Sequence, residues 1–133
     1  MEKSPCTYAQ VLHDQEVIGM RHNMKLQTKP FEAITGGFKT IELRLFDEKR
    51  QQVRVGDEIE FTELSESKRK VLTKIVALHR FPSFEELYKT LPLEKCGYSE
   101  SEIENASPED MEAYYSPEEQ KKYGVVGIEI ELI

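Results

Sequence analysis

The sequence predicts an α+β domain: a small mixed sheet of about five strands curled into a barrel, with helices packed at one side and a helical insertion before the last strand. Three observations predict it. Short segments between His22 and Leu78 show the apolar-polar alternation or the β-branched enrichment of strands. After Phe81-Pro82 the pattern changes to a succession of helix-start signals and closes on one more alternating segment. No β-α-β period recurs, and 133 residues suffice for one core of moderate size.

Residues 1–19 show neither a helical stripe nor strand alternation and read as a loosely ordered N-terminal extension, which leaves 20–133 as the domain. Strand signals begin around residues 22–27. A short helix follows over Pro30-Phe31-Glu32-Ala33-Ile34, with Thr28 or Lys29 before it and Gly36-Gly37 as its stop. Thr40-Ile41-Glu42-Leu43-Arg44-Leu45 alternates strictly, so Ile41, Leu43 and Leu45 face a core while Thr40, Glu42 and Arg44 share the opposite face. Polar residues 47–52 form a connection. Val53 and Val55 precede a Gly56-Asp57 turn, and Glu58 to Thr62 alternates again. A polar, largely basic loop from Ser65 to Lys70 leads to a buried strand from Val71 to Leu78, closed by His79-Arg80.

Beyond Phe81, Ser83 to Glu86, Ser99 to Glu102 and Ser116 to Glu119 have the form of capping boxes, and Ser107-Pro108-Glu109-Asp110 is a fourth helix start with proline at the first position. Gly124 ends the last helix. Val125 to Ile133 then alternates Ile128, Ile130 and Leu132 with Glu129 and Glu131 as the closing strand.

The formal net charge is −7, which argues against a protein that grips nucleic acid over its whole surface. The charge is unevenly divided. Residues 1–81 hold 14 Lys/Arg and 12 Asp/Glu, net +2; residues 82–133 hold 4 and 13, net −9. Acids in helix first turns complement the helix dipole, so the acidity has a structural origin and any polyanion site belongs to the first part. Cys6 and Cys96 are far apart, and no apolar run approaches a membrane span or a signal-peptide core, so the expectation is a cytoplasmic protein with no membrane association. His13, His22 and His79 are scattered, with no C-x-x-C and no phosphate-loop or dinucleotide fingerprint, so no metal or cofactor is expected.

The chemistry concentrates in Gly37-Phe38-Lys39-Thr40-Ile41-Glu42-Leu43-Arg44. A glycine turn delivers the chain into a strand, with a lysine at its mouth and then a carboxylate and a guanidinium on one face. Such a pair can fix a fork of donors where a phosphate, carboxylate or base edge docks; the same residues also suit an ordinary solvated strand face with a salt bridge.

The pattern G-x-K-x-x-E-x-R, with Gly37, Lys39, Glu42 and Arg44, resembles the signature of the ASCH domain, a PUA-like family. Val53 to Phe61, the passage from His79 to Leu87, and Tyr123 to Ile130 also resemble bacterial single-domain ASCH proteins, so the likeness spans roughly residues 20–133. The resemblance implies a PUA-like β-barrel that binds RNA or a modified nucleotide in a cleft at the motif, with Gly37, Lys39, Thr40, Glu42 and Arg44 as contacts. Arg50, Arg54 and Arg80, with Lys49, Lys68, Arg69 and Lys70, are the cations available to track a phosphate backbone. His79 is weighed equally as a packed residue and as a contact.

One branch of the family implies an alternative: amidohydrolases acting on N4-acetylcytidine. There the lysine matches Lys39, but the nucleophilic threonine position is Glu42 in this chain, and Thr40 sits two residues too early. An enzyme would use Lys39 and Glu42 as catalytic residues, with Glu42 as general base and Glu94 as a candidate downstream acid. A metal-independent ribonuclease using Lys39, Glu42 and Arg44 is the other enzymatic option. Finally, helices 83–123 are candidates for a protein partner, with Tyr98, Tyr114, Tyr115 and Tyr123 as anchors or as helix-packing residues.

Overall fold

The computed structural model of the chain describes residues 19–133, so the extension expected over 1–19 lies, apart from Gly19, outside the described residues. The chain runs β1 (Arg21–Leu26), α1 (Thr28–Thr35), β2 (Ile41–Leu45), β3 (Glu58–Glu63), β4 (Lys70–Phe81), α2 (Phe84–Thr90), α3 (Glu100–Ile103), α4 (Pro117–Tyr123) and β5 (Val125–Leu132). Short 3₁₀ turns occupy Arg50–Gln52, Leu93–Cys96 and Pro108–Ala113. The sheet order is β1-β3-β4-β5-β2; β1 pairs with β3 in parallel and the other pairs are antiparallel. It is the mixed, curled sheet that the sequence predicts, in the form of a half-barrel with β1 and β2 as its two edges.

The predicted strands form, with adjusted ends. β4 continues past Arg80 to Phe81, and it stays part of a curled sheet because of a bulge: Ile75 pairs with Ile130 and Ala77 with Glu129, leaving Val76 over. An extra residue bends its strand and increases the local twist, which a long strand in a strongly curled sheet needs. α1 ends at the expected glycines. Gly36 is still right-handed (φ −82°), and Gly37 (φ +82°) makes the left-handed turn into β2.

The interior is divided. Met24, Leu26, Phe31, Ile34, Ile59, Phe61, Ile75, Ile128 and Ile130 belong to one cluster that fills the half-barrel and is closed by α1. Ile41, Leu43 and Leu45 belong to a second, with Phe84, Leu87, Cys96 and Val125, which holds the helical insertion against β2. β2 is therefore buried on both faces, although its alternation alone describes a strand with one face open.

The insertion is a string of short turns because prolines and glycines interrupt it at Pro92, Gly97, Pro108 and Pro117. Its serine caps form. Ser83 accepts from the Glu86 amide at 3.3 Å; Ser116 and Glu119 exchange bonds of 3.1 and 3.0 Å; Glu102 accepts from the Ser99 amide at 2.8 Å. The Ser107 start makes a 3₁₀ turn rather than an α-helix, with Asp110 accepting from the Ser107 amide at 3.2 Å. No helix among the described residues is long and apolar enough to cross a membrane.

Phe84 is fully buried at the centre of the second cluster and stacks on Tyr115 at 6.2 Å between ring centroids. Phe84→Ala is expected to lower stability by about 3–5 kcal/mol in chemical denaturation. Hydrogen exchange should quicken first in residues 93–116, while the amides of β3 and β4, buried in the other cluster, keep their protection.

Candidate functional site

Glu42 is the centre of the site. Its side chain leaves β2 on the face opposite Ile41 and Leu43, and the residue is only 4% exposed. The guanidinium of Arg44 donates from Nε to Oε2 of Glu42 at 2.6 Å, and Nη2 reaches across the open seam of the half-barrel to the Lys25 carbonyl of β1 at 2.9 Å. Nζ of Lys39 lies 2.7 Å from Oε1 as a hydrogen-bonded ion pair, so Oε1 keeps its second lone pair. One arginine thus serves the buried carboxylate and ties the two sheet edges together.

Burial by itself would raise the pKa of Glu42, but the positive charges of Lys39 and Arg44 outweigh it and hold the carboxyl below its ordinary value. Arg44 responds in the opposite direction: burial alone would lower its pKa, and Glu42 and the Tyr115 phenol raise it. The three groups therefore form a charged cluster of net +1.

A cavity of about 480 Å³ opens beside this cluster, along the free edge of β2. Lys25 to Gln27, Lys29, Pro30 and Ala33 form one wall; the insertion supplies the other, with Tyr88, Cys96, Tyr98, Asp110 and Tyr115 and with Tyr114 at the rim, 68% exposed. Lys29 bridges the two walls by an ion pair of 3.0 Å to Glu102. The amide of Ser99, then Lys29, holds the Glu102 carboxyl down at about 2. Burial pushes the Cys96 thiol up to about 11, so it faces the cavity as a neutral thiol and not as a nucleophile.

Of the residues the sequence marks as site candidates, Lys39, Glu42 and Arg44 meet at the cavity, and the others lie elsewhere. Gly37 shapes the turn that delivers Lys39. Thr40 is a tether: its amide donates to the Lys95 carbonyl and its carbonyl accepts from the Ile130 amide, both at 2.9 Å. Arg50 is paired with Asp47 at 3.1 Å, Arg80 lies over the Phe46 ring at 4.2 Å from its centroid, and exposed Arg54 flanks the Asp57 turn. None of these lines the cavity. Arg69 is bonded to Glu63 and Glu32, His79 to Glu129, and Glu94 is exposed away from the cavity. Counting cations in a sequence gives their number but not the carboxylates and rings already engaging them.

The converse holds for the tyrosines. Tyr88, Tyr98, Tyr114 and Tyr115 all line the cavity, and Tyr88 is absent from the sequence candidates. Their only sequence signal is clustering in a short, proline-interrupted segment, where no helical period shows which way a side chain points.

The ASCH domain model matches residues 24–133. Two solved structures cover most of the chain: hypothetical protein PH0355, 37% identical with a TM-score of 0.72 over 86% of this chain and 100% of that one, and PF0455 from Pyrococcus furiosus, 36% identical with a TM-score of 0.67 over 86% and 98%. ZmASCH from Zymomonas mobilis shares the fold at 13% identity, with a TM-score of 0.61 over 84% of this chain and 67% of that one. No curated protein matches the chain significantly.

Because the pKa of Glu42 is depressed in the fold, its ion pairs stabilise the protein above the ordinary value of 4.5, and that contribution is lost as pH falls below it. Glu42→Gln is expected to cost about 3–5 kcal/mol at neutral pH, since it leaves Lys39 and Arg44 buried without their counter-charge. The difference between the variant and the parent, measured by denaturation at a series of pH values, should shrink on the acid side of 4.5 and stay constant above it.

Proposed function

Since the chain belongs to the ASCH domain family, we propose that it binds one nucleobase of an RNA strand, or a free modified nucleoside, in the cavity at Lys39, Glu42 and Arg44. The carrying observation is the cavity itself: about 480 Å³, walled by tyrosines, and set against a buried, preformed donor-acceptor cluster. Pockets of this size and composition take small planar ligands, and single-stranded RNA is recognised by bases splayed out and stacked on aromatic rings.

Lys39 and Arg44 orient the ligand, and Glu42 both restrains them and accepts from it through Oε1. Lys25 at the rim is the cation available to a phosphate, with Lys29 beside it, which a phosphate would share with Glu102. Arg50, Arg54 and Arg80 lie outside the cavity, so the reading is local recognition and not a long backbone track. The insertion tyrosines then serve the ligand in place of a protein partner.

The second lone pair of Glu42 Oε1 beside Lys39 also favours a second reading, hydrolysis of an acylated base such as N4-acetylcytidine. Glu42 would take a proton from water as it attacks the amide carbon, Lys39 would stabilise the oxyanion, and collapse of the tetrahedral intermediate would break the C–N bond as Glu42 returns the proton to the departing N4 amine, releasing acetate and cytidine. The same cations that hold Glu42 ionised make it a weak base at neutral pH, which ranks this reading, and a ribonuclease using the same base, below binding.

Lys39→Met and Arg44→Met are expected to weaken binding to a panel of short single-stranded RNAs by about tenfold or more at low salt, with folding checked by circular dichroism. With roughly two rim phosphate contacts, log affinity should fall with log salt at a shallow slope of about −1 to −2. Unchanged affinity in folded variants sinks the proposed site. Release of cytidine from N4-acetylcytidine by the parent, lost in Glu42→Gln, replaces binding with catalysis.

A further inference from the structure

The insertion wall of the cavity carries a hydrogen-bonded chain that none of the roles above uses. The Tyr98 hydroxyl donates to Oδ2 of Asp110 at 2.8 Å, and the hydroxyls of Tyr88 and Tyr98 are 2.6 Å apart. A carboxylate only accepts, so the Tyr98 proton is committed to Asp110. The Tyr98 oxygen then accepts from Tyr88, and the Tyr88 proton is committed in turn. Burial, and then the bonds to Tyr88 and Asp110, raise the pKa of Tyr98; burial also raises that of Tyr88, so both keep their protons. The chain has one polarity, Tyr88 to Tyr98 to Asp110. At its cavity end the Tyr88 oxygen offers lone pairs and no proton.

The opposite wall has a matching character. Oε1 of Glu42 keeps an acceptor site beside its ion pair with the Lys39 ammonium, a donor 2.7 Å away. With the Tyr88 oxygen, that makes two acceptors and one donor, which complement an amino group, with its two N–H, beside an unprotonated ring nitrogen, the edge of cytosine and adenine. The edge of uracil and hypoxanthine has a keto oxygen and a single ring N–H, so one of the two acceptors is left without a donor.

Resting on the base-binding reading above, we propose that the Tyr88–Tyr98–Asp110 chain is a specificity device that selects amino-bearing bases over their keto counterparts. Tyr88 makes the contact, and Asp110 sets its polarity from two hydroxyls away. The same Oδ2 accepts from the Ser107 amide at 3.2 Å, so the cap and the chain share one oxygen. Tyr98→Phe leaves that cap in place and removes the acceptor of the Tyr88 proton, which is then free for the cavity.

The test is calorimetric binding of the 5′-monophosphates of cytidine, uridine, adenosine and inosine to the parent, Tyr88→Phe and Tyr98→Phe. The parent should prefer cytidine over uridine and adenosine over inosine by about tenfold, the scale set by an unpaired buried polar group. Tyr88→Phe should bind all four with the preference lost, and Tyr98→Phe, which lets the Tyr88 hydroxyl donate into the cavity, should shift the preference toward the keto member of each pair. Equal affinity within both pairs in the parent, or a preference that both variants leave unmoved, overturns the inference while base binding stands. No binding of any of the four overturns the base-binding reading, and the inference with it.

Discussion

A carboxylate almost withdrawn from water, held by two cations, is the constraint around which this domain is arranged. An ionised glutamate as buried as Glu42 is strongly unfavourable alone; Lys39 and Arg44 make it tolerable, each within 2.7 Å of one of its oxygens. Arg44 then spends a further donor on the Lys25 carbonyl, and that bond crosses between the two sheet edges that no strand pairing joins. Closure of the half-barrel and the electrostatics of the cavity thus depend on one side chain. A ligand meets a cluster whose charges are largely answered already. The surplus is +1, which suits a neutral ring with directed polar edges better than a run of phosphates.

This explains why the bulk charge of −7 and the cationic motif coexist without conflict. Three acids of the insertion are used at home, as the carboxylates of Glu102, Asp110 and Glu119 bond the amides of Ser99, Ser107 and Ser116. Two have a second duty at the cavity, Glu102 with Lys29 and Asp110 with Tyr98. Three arginines of the first part are likewise engaged: Arg50 by Asp47, Arg69 by Glu63 and Glu32, Arg80 by the Phe46 ring.

The order of strands and the serine helix starts are legible in the sequence because they rest on local chemistry, alternation in one case and capping in the other. What covers each strand face is not local. Ile41, Leu43 and Leu45 read correctly as facing a core, but that core lies under the insertion, outside the half-barrel, and depends on Phe84 and Leu87, some forty residues later in the chain. Glu42 and Arg44 read correctly as sharing a face, and their depth comes from the seam that Lys25 helps to close. The motif identifies the sheet side of the cavity because its residues are adjacent in sequence. The insertion side is hidden because Tyr88, Tyr98 and Asp110 are brought together by turns that have no period.

The two walls differ in mechanical character. The sheet wall is fixed by strand ladders on one side of β2 and by the Glu42 cluster, all tied to the larger interior. The insertion wall is built of short turns, held by the second apolar cluster, by the Thr40 tether to the Lys95 carbonyl and by the exposed Lys29–Glu102 pair. An exposed pair of this kind contributes little stability, and short segments open locally at lower cost than a sheet. On the base-binding reading proposed above, admission of a ligand would fall to the insertion and not to the sheet wall. That reading would assign affinity to the preorganised Lys39, Glu42 and Arg44, and selectivity to the tyrosine chain.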